Sequence, residues 1–434
     1  MRLGTPESVR KLQRKLYLCA KQDEVRRFYT LYDKVYREDI LWEAWRRVKA
    51  NKGAGGVDDV EIEDLTASPQ RLTKLLAELK EDLKRKSYRP KPVSRVYIPK
   101  PYGNGQRPLG IPTVTDRIAQ AAAKLVLEPI IEADLEETQH AYRPKRNAHQ
   151  AVEKIRSGMR AGRRYVIDAD LSRYFDTIRH DKLMKLLSLR VSDGSFLSLV
   201  KSWLKSPVVE RGPNGHDIVT GGRNSKMGTP QGGVLSPCLA NLYLNVLARW
   251  WRRSRLDVRY NSQLVQFADD LVILSARDPE GVLGHLKLSL KRMDLVLNEE
   301  KTRVVTTAEG FDFVGYRFRL VSRIEGATPF YPLATPSPRS QERFRQRVKE
   351  MTCRQVTSPL PEVIAEVNGY IRGWSAYYRS GNPSKTFGKL RHYAENRVRR
   401  LVQKRSKHKG YGYSRYPNKW LYNVVGLHYM TSRS

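Results

Sequence analysis

The residues best suited to chemistry are two adjacent carboxylates, Asp269 and Asp270, set between short runs of β-branched and apolar residues. Leu264 and Val265 precede them and Leu271 to Leu274 follow, a pattern that predicts a hairpin with acids at its tip. Neighbouring carboxylates repel each other unless cations neutralise them. A second acid-bearing strand is predicted about a hundred residues upstream, Tyr165-Val166-Ile167-Asp168-Ala169-Asp170-Leu171. If these strands are neighbours in one sheet, Asp170 and Asp269 converge at one edge. Oxygen ligands of that kind suit Mg²⁺, and a pair of such ions serves nucleotidyl transfer. An Asp-Asp pair alone is more often a solvated turn, so the surrounding segments decide.

The chain has 434 residues, with 80 Lys and Arg against 45 Asp and Glu and a formal net charge of +35. That length allows two or three domains, and a hydrophobic content of 40% is that of a globular protein. So much positive charge repels itself in a compact state, and a polyanionic partner relieves it. No apolar run approaches the roughly 18 residues of a membrane span, so nucleic acid is the expected partner and not a membrane. Cys19, Cys238 and Cys353 are far apart and have no His at ligand spacing, which excludes a disulfide framework and a zinc knuckle. The first residues lack the apolar core of a secretion signal, so a cytoplasmic location is expected.

Several segments could position substrate. Val9, Leu12, Leu16 and Cys19 recur at helical spacing, and residues 61–86 read as helix. Between them, Asn51-Lys52-Gly53-Ala54-Gly55-Gly56-Val57-Asp58 is either a phosphate-cradling loop or a flexible turn. Lys100 and Arg107 flank a Gly-Asn-Gly turn, where they could clamp a triphosphate or remain solvated hairpin charges. Arg143 lies in a basic loop before a helix, a plausible contact to a nucleic-acid backbone, and His149 reads better as structural or exposed than as a base. Phe175, five positions after Asp170, could exclude a sugar 2′-hydroxyl or simply fill the core, as Tyr174 is expected to. Gln231 and Gly232, in a Pro-Gln-Gly-Gly turn that opens a helix, could lie under an incoming base and sugar. Lys301 is a candidate general acid for a pyrophosphate leaving group, or a surface charge.

The Pro-rich stretch from Pro329 to Pro338 reads as a domain boundary. Beyond it, residues 341–434 hold 20 Lys and Arg against five acids. Leu390, Ala394, Val398 and Leu401 form an apolar stripe, with Arg391, Arg397, Arg399, Arg400 and Lys404 around it to meet phosphates. Tyr411, Tyr413 and Tyr416 punctuate the basic segment that follows and could stack on RNA bases.

Pro108-Leu-Gly-Ile-Pro112, Asp170-Leu-Ser-Arg-Tyr-Phe-Asp176, Thr229-Pro-Gln-Gly-Gly-Val-Leu-Ser-Pro237, Phe267-Ala-Asp-Asp270, Leu297-Asn-Glu-Glu-Lys-Thr302 and Phe313-Val-Gly-Tyr316 fall in order. As a set they resemble the polymerase blocks of bacterial group II intron-encoded reverse transcriptases. Gly373-Trp-Ser-Ala-Tyr-Tyr378 resembles the maturase domain of that family. The resemblance implies an α+β right-hand polymerase. It would comprise a basic N-terminal extension (1–40), fingers (41–165), a palm with an antiparallel sheet (166–330), helical thumb and maturase (331–405) and a basic C-terminal tail (406–434).

The resemblance further implies two Mg²⁺ ions held by Asp170, Leu171, Asp269 and Asp270, and dNTP contacts from Lys100, Arg107, Phe175, Gln231 and Gly232. RNA contacts are expected from Asn51, Lys52, Gly53, Arg143, Arg391, Arg397, Arg400 and Lys404. Expected partners are group II intron RNA, an RNA template with a DNA primer, a DNA target and dNTPs, within a cytoplasmic ribonucleoprotein. A binding-only splicing maturase and a domesticated enzyme of defence or repair are the alternatives. Two departures stand out: Phe267 where the family usually has Tyr, and Ala141-Tyr142 in place of Gly-Phe. No paired Cys or His-Asn-His pattern follows the maturase-like region.

Overall fold

The computed structural model describes residues 5–99, 105–212, 217–322, 330–353, 357–410 and 412–432. Helices and largely antiparallel strands mix throughout, the expected α+β class. The strands, numbered along the chain, fall into three sheets. β1 (Val93–Pro99), β2 (Gln106–Ile111), β4 (Pro207–Arg211) and β5 (Asp217–Gly221) form the first, in the order β2-β1-β4-β5. β3 (Tyr165–Asp170), β6 (Ser262–Phe267), β7 (Asp270–Ser275) and β8 (Arg303–Thr306) form the second, in the order β6-β7-β3-β8. β9 (Phe311–Phe313), β10 (Tyr316–Ser322) and β11 (Phe330–Pro336) form the third.

Two compact units alternate along the chain, so neither matches a contiguous stretch. The first comprises Met1–Arg146, Asp170–Arg255 and Gly284–Glu300, and the second Asn147–Ala169, Leu256–Leu283 and Lys301–Ser434. The helix Val114–Asp134 is the spine of the first unit. Ile118, Ala122, Leu125 and Val126 on it are fully buried. The helix Glu7–Gln22 buries Val9 and Leu16 and is tied to this spine by Gln13 and Lys21, whose side chains donate to the carbonyls of Leu125 and Ala133. The expected 61–86 helix is two helices, Ile62–Ala67 and Pro69–Lys84. Ser68 caps the second, and Pro69 sits in its first turn, where its missing N–H is not needed. Buried Glu43 is held at a pKa of about 2. Burial alone would raise it, but hydrogen bonds from Arg46, Arg47 and Thr5 outweigh the cost of burial.

In the second unit one apolar core runs from the second sheet into the C-terminal helices. Val166, Val265, Val272 and Leu274 pack with Ala151, Ile155 and Met159 of the helix Ala148–Arg160, then with Phe311, Phe318, Phe344, Ile371 and Leu390. The predicted stripe Leu390, Ala394, Val398 and Leu401 is buried in it, on the helix Ser384–Arg405. Strand β11 lies within the Pro-rich stretch. As an edge strand, β11 accommodates Pro332 and Pro336 because an edge residue need not donate a ladder hydrogen bond outward.

The expected C-terminal tail is folded back onto the Ser384–Arg405 helix. Buried Glu395 accepts from Asn418 Nδ2 at 3.1 Å and from the Tyr422 hydroxyl, while buried Arg399 donates to the Tyr416 carbonyl at 2.8 Å. The β4–β5 hairpin went unpredicted. Every residue of β5 is exposed, so its sequence carries no alternation to read.

Candidate active site

Phe267 pairs with Asp270, so the turn between β6 and β7 is only Ala268-Asp269. Ala268 adopts φ +57°, a left-handed conformation that costs a non-glycine residue about 1–3 kcal/mol and persists only where its surroundings enforce it. Those surroundings are β6 and β7, whose Val265, Leu271, Val272, Ile273 and Leu274 are all buried. Asp269 is left half-buried and Asp270 exposed. β3 lies next to β7 in the sheet. Arg164, just before β3, donates its N–H to the carbonyl of Ser275 at the end of β7 (3.0 Å), so the two strands run antiparallel. The end of β3 that carries Asp170 is thus the end of the sheet at which β6 and β7 turn.

Asp170 closes β3, and its carbonyl accepts from Asn298 N at 2.8 Å. Leu171 is buried and bridges Leu297, so only its carbonyl could serve a metal. Among the described residues no three His, Cys, Asp or Glu side chains stand close enough to enclose an ion. A donor set of carboxylates and a carbonyl, all hard oxygens, still fits Mg²⁺, which takes one or two protein carboxylates and completes its shell with phosphate oxygens and water. Lys301 is exposed at the turn before β8.

In the first unit the Pro-Gln-Gly-Gly turn is pressed against β2. Gly110 N donates to the Gln231 carbonyl at 2.5 Å. Gly232 sits at φ +113°, where a Cβ would collide with the Gly110 carbonyl oxygen. This contact brings side chains together: Arg107 Nε donates to Gln231 Oε1 (3.2 Å), and Gln231 Nε2 reaches Asp176 Oδ1 (3.5 Å). Asp176 was not singled out, although it ends the motif that begins with Asp170. A cavity of about 340 Å³ lies beside this trio, with Arg95 on its wall. Phe175 is largely buried, and its carbonyl accepts from Thr229 N at 2.8 Å, which ties it to the same turn. Tyr174 is core, as expected, with its hydroxyl on the Ala240 carbonyl. Lys100 lies outside the described residues.

The Gly-rich loop needs its glycines for packing. A Cβ on Gly56 would lie 2.7 Å from the Thr113 backbone, and one on Gly53 2.6 Å from the Arg117 guanidinium. Asn51 and Lys52 remain exposed on it. Thr113 is anchored in turn to Asp116 (2.8 Å), whose pKa is pushed up by burial.

Three of the residues expected to contact RNA are held by partners within the fold. Arg143 is buried, with a two-pronged pairing to Glu132 (2.9 and 2.7 Å) and bonds to the carbonyls of Glu136 and Gln139. Arg397 donates to the Lys349 and Thr352 carbonyls at the end of the helix Pro338–Met351. Arg391 lies over the Tyr429 ring at 4.3 Å and bonds the Met430 carbonyl. Arg400 and Lys404 are exposed. His149 bonds the Tyr377 carbonyl at 2.6 Å and is structural, as expected.

Arg143→Gln should therefore cost about 3–5 kcal/mol of stability, because it strands Glu132 in a half-dry site. It should leave the salt dependence of RNA affinity unchanged. Chemical denaturation and binding titrations check both outcomes, and a shallower salt slope would return Arg143 to the RNA interface.

Comparison with known proteins bears on most of the chain. Residues 98–318, just over half of it, match the family of reverse transcriptases (RNA-dependent DNA polymerases). Residues 341–420 match the group II intron maturase-specific domain. Protein YkfC of Escherichia coli (strain K12) is 35% identical over 351 residues, covering 71% of this chain and 88% of that protein. Group II intron-encoded protein LtrA of Lactococcus lactis subsp. cremoris is 35% identical over 285 residues, 65% of this chain and 43% of LtrA, so this chain spans less than half of LtrA's length. With the ordered blocks, the hairpin carrying the acid pair and both family matches in place, the chain belongs to the reverse transcriptase family, with the maturase domain of group II intron proteins following its polymerase region.

Proposed function

We propose that the chain extends a DNA primer on an RNA template at Asp170, Asp269 and Asp270, and that it binds group II intron RNA within a ribonucleoprotein to support splicing and mobility. The observation that carries the polymerase site is the sheet order β6-β7-β3-β8, with β3 and β7 antiparallel. Strands from distant segments of the chain thereby share one sheet, β3 ending at Asp170 and β6 and β7 joined by the turn at Asp269. Two Mg²⁺ ions held there would stabilise the attacking and leaving oxygens of nucleotidyl transfer.

The remaining residues position and exclude. Arg107, held by Gln231, offers its guanidinium to triphosphate oxygens, a bidentate geometry that Lys cannot match. Lys100 joins it on the strength of the motif alone. Lys301 is assigned the proton that the departing pyrophosphate takes up. Asn51, Lys52, Arg400 and Lys404 contribute exposed polar or charged contacts for RNA.

Phe175 lies where the chain turns from β3 toward Asp176 and fits a ring that excludes a ribose 2′-hydroxyl. Phe175→Val keeps the site apolar and removes the ring edge. It should reduce discrimination against rNTPs about 10- to 100-fold, read as the ratio of kcat/KM for dTTP and UTP. An unchanged ratio in a folded variant would make Phe175 a core residue only.

Extension of oligo(dT) on poly(A) tests the function as a whole. Mg²⁺-dependent synthesis is expected. A folded, RNA-binding protein without synthesis would be a binding-only maturase.

A further inference from the structure

Away from the residues assigned above, the second unit holds a cleft of about 460 Å³ between β11 and the start of the helix Ser384–Arg405. Successive strand residues point to opposite faces. On β11, Pro332, Ala334 and Pro336 are buried inward, while Tyr331, Leu333 and Thr335 line the cleft. Arg379 and Lys385 stand on the facing wall.

That wall is fixed to the strand. Asn382 N donates to the Ala334 carbonyl at 2.6 Å, and Asn382 Oδ1 accepts from Ala334 N at 3.1 Å. Gly381 comes so close to β11 that a Cβ would collide with the same carbonyl oxygen. The Ser384 and Ser432 hydroxyls, 2.9 Å apart, close one end.

Among the described residues, the charge of this cleft is uncompensated. No Asp or Glu lines it, and neither Arg379 nor Lys385 has an ion-pair partner among the described residues. Nearby, burial and the charges of Arg372 and Arg379 hold His428 below the usual imidazole range. Two unpaired cations call for an anion. The Tyr331 ring, 38% exposed, with Leu333 next to it offers an apolar platform beside that anion. The volume falls within the roughly 300–1,000 Å³ of small-ligand sites.

An aromatic face next to paired cations is the combination that binds unstacked nucleotides, whereas a duplex keeps its base faces covered. We propose that this cleft seats one nucleotide of a single strand, with its base on Tyr331 and its phosphate between Arg379 and Lys385. The inference rests on the reading of the chain as a nucleic-acid-binding protein, but not on the polymerase site.

The test uses the full chain and 5′-labelled decamers of single-stranded RNA and of DNA with the same sequence, read by fluorescence anisotropy. Tyr331→Ala should weaken binding about tenfold, the scale of one lost base stack. Arg379→Gln with Lys385→Gln should flatten the slope of log affinity against log salt by about 1.4, two phosphate contacts on a single strand. Equal losses on both decamers assign the cleft to nucleotide chemistry shared by RNA and DNA. A loss on RNA alone adds recognition of the ribose hydroxyl by Thr335, Ser384 or Ser432.

Unchanged affinity and slope in variants that still extend a saturating primer–template would overturn the proposal. Should a variant fail to fold, ultraviolet crosslinking of a 4-thiouridine RNA to the wild-type chain decides: an adduct on the Tyr331 peptide is expected, and its absence refutes the cleft. A wild-type chain that shows these binding effects but never extends a primer would refute the polymerase site and spare the cleft.

Discussion

The Asp269→Ala variant is expected to lose at least about a thousandfold in primer-extension rate while binding RNA as tightly as the parent. Charge stabilisation by a metal is worth several kcal/mol in the transition state, and each 1.36 kcal/mol is tenfold. Asp269 belongs to the two-residue turn and not to the core, so the strands that carry it should fold without its carboxylate. RNA affinity should hold because the basic surface of the chain, and not one acid, supplies the phosphate contacts. Single-turnover extension and an RNA titration on the same preparation check both halves. Extension within tenfold of the parent would reject Asp269 as a metal ligand.

The second large effect is expected from Gly232→Ala. At φ +113° any side chain is strained by about 1–3 kcal/mol, and here the added Cβ also meets the carbonyl oxygen of Gly110. The turn must retreat from β2, which loosens the bond from Gly110 N to the Gln231 carbonyl and the contact between Gln231 and Arg107. KM for dNTP should rise at least about tenfold, since a displacement of about 1 Å at a positioning group costs on that scale or more. Gly388→Ala is the matched control. Its Cβ would meet nothing within 4 Å, and a helix interior favours Ala over Gly by roughly 0.5–1 kcal/mol. An unchanged KM in a folded Gly232→Ala protein would remove the Pro-Gln-Gly-Gly turn from the nucleotide site.

The parts of this fold that the sequence revealed are those with a local cause. The β6–β7 hairpin follows from short apolar, β-branched runs on both sides of an acid pair, and the Ser384–Arg405 stripe from the period of a helix. That β3 and β7 are neighbours was readable only as a condition, because strand neighbours are chosen by long-range packing and not by local pattern. The β11 strand was hidden by its prolines, which an edge position tolerates.

Cations were the least legible. Whether an Arg meets solvent depends on the acceptors the fold brings to it. Arg143 finds Glu132 within its own neighbourhood, while Arg397 finds Lys349 and Thr352 more than forty residues away. Arg399, expected beside a basic face, is buried against Tyr416 and Asn396. The net charge of +35 therefore overstates the surface available to RNA.

The proposed catalysis depends on carboxylates from β3 and from the β6–β7 turn sharing divalent ions. Loading the chain, with primer–template and dNTP, with Fe²⁺ in place of Mg²⁺ and starting hydroxyl-radical cleavage maps the protein segments around the ion. Backbone cuts around both 170 and 269, suppressed together by Asp269→Ala and by excess Mg²⁺, are the predicted result. Cuts at only one of the two segments, or cuts that Asp269→Ala leaves intact, would contradict it.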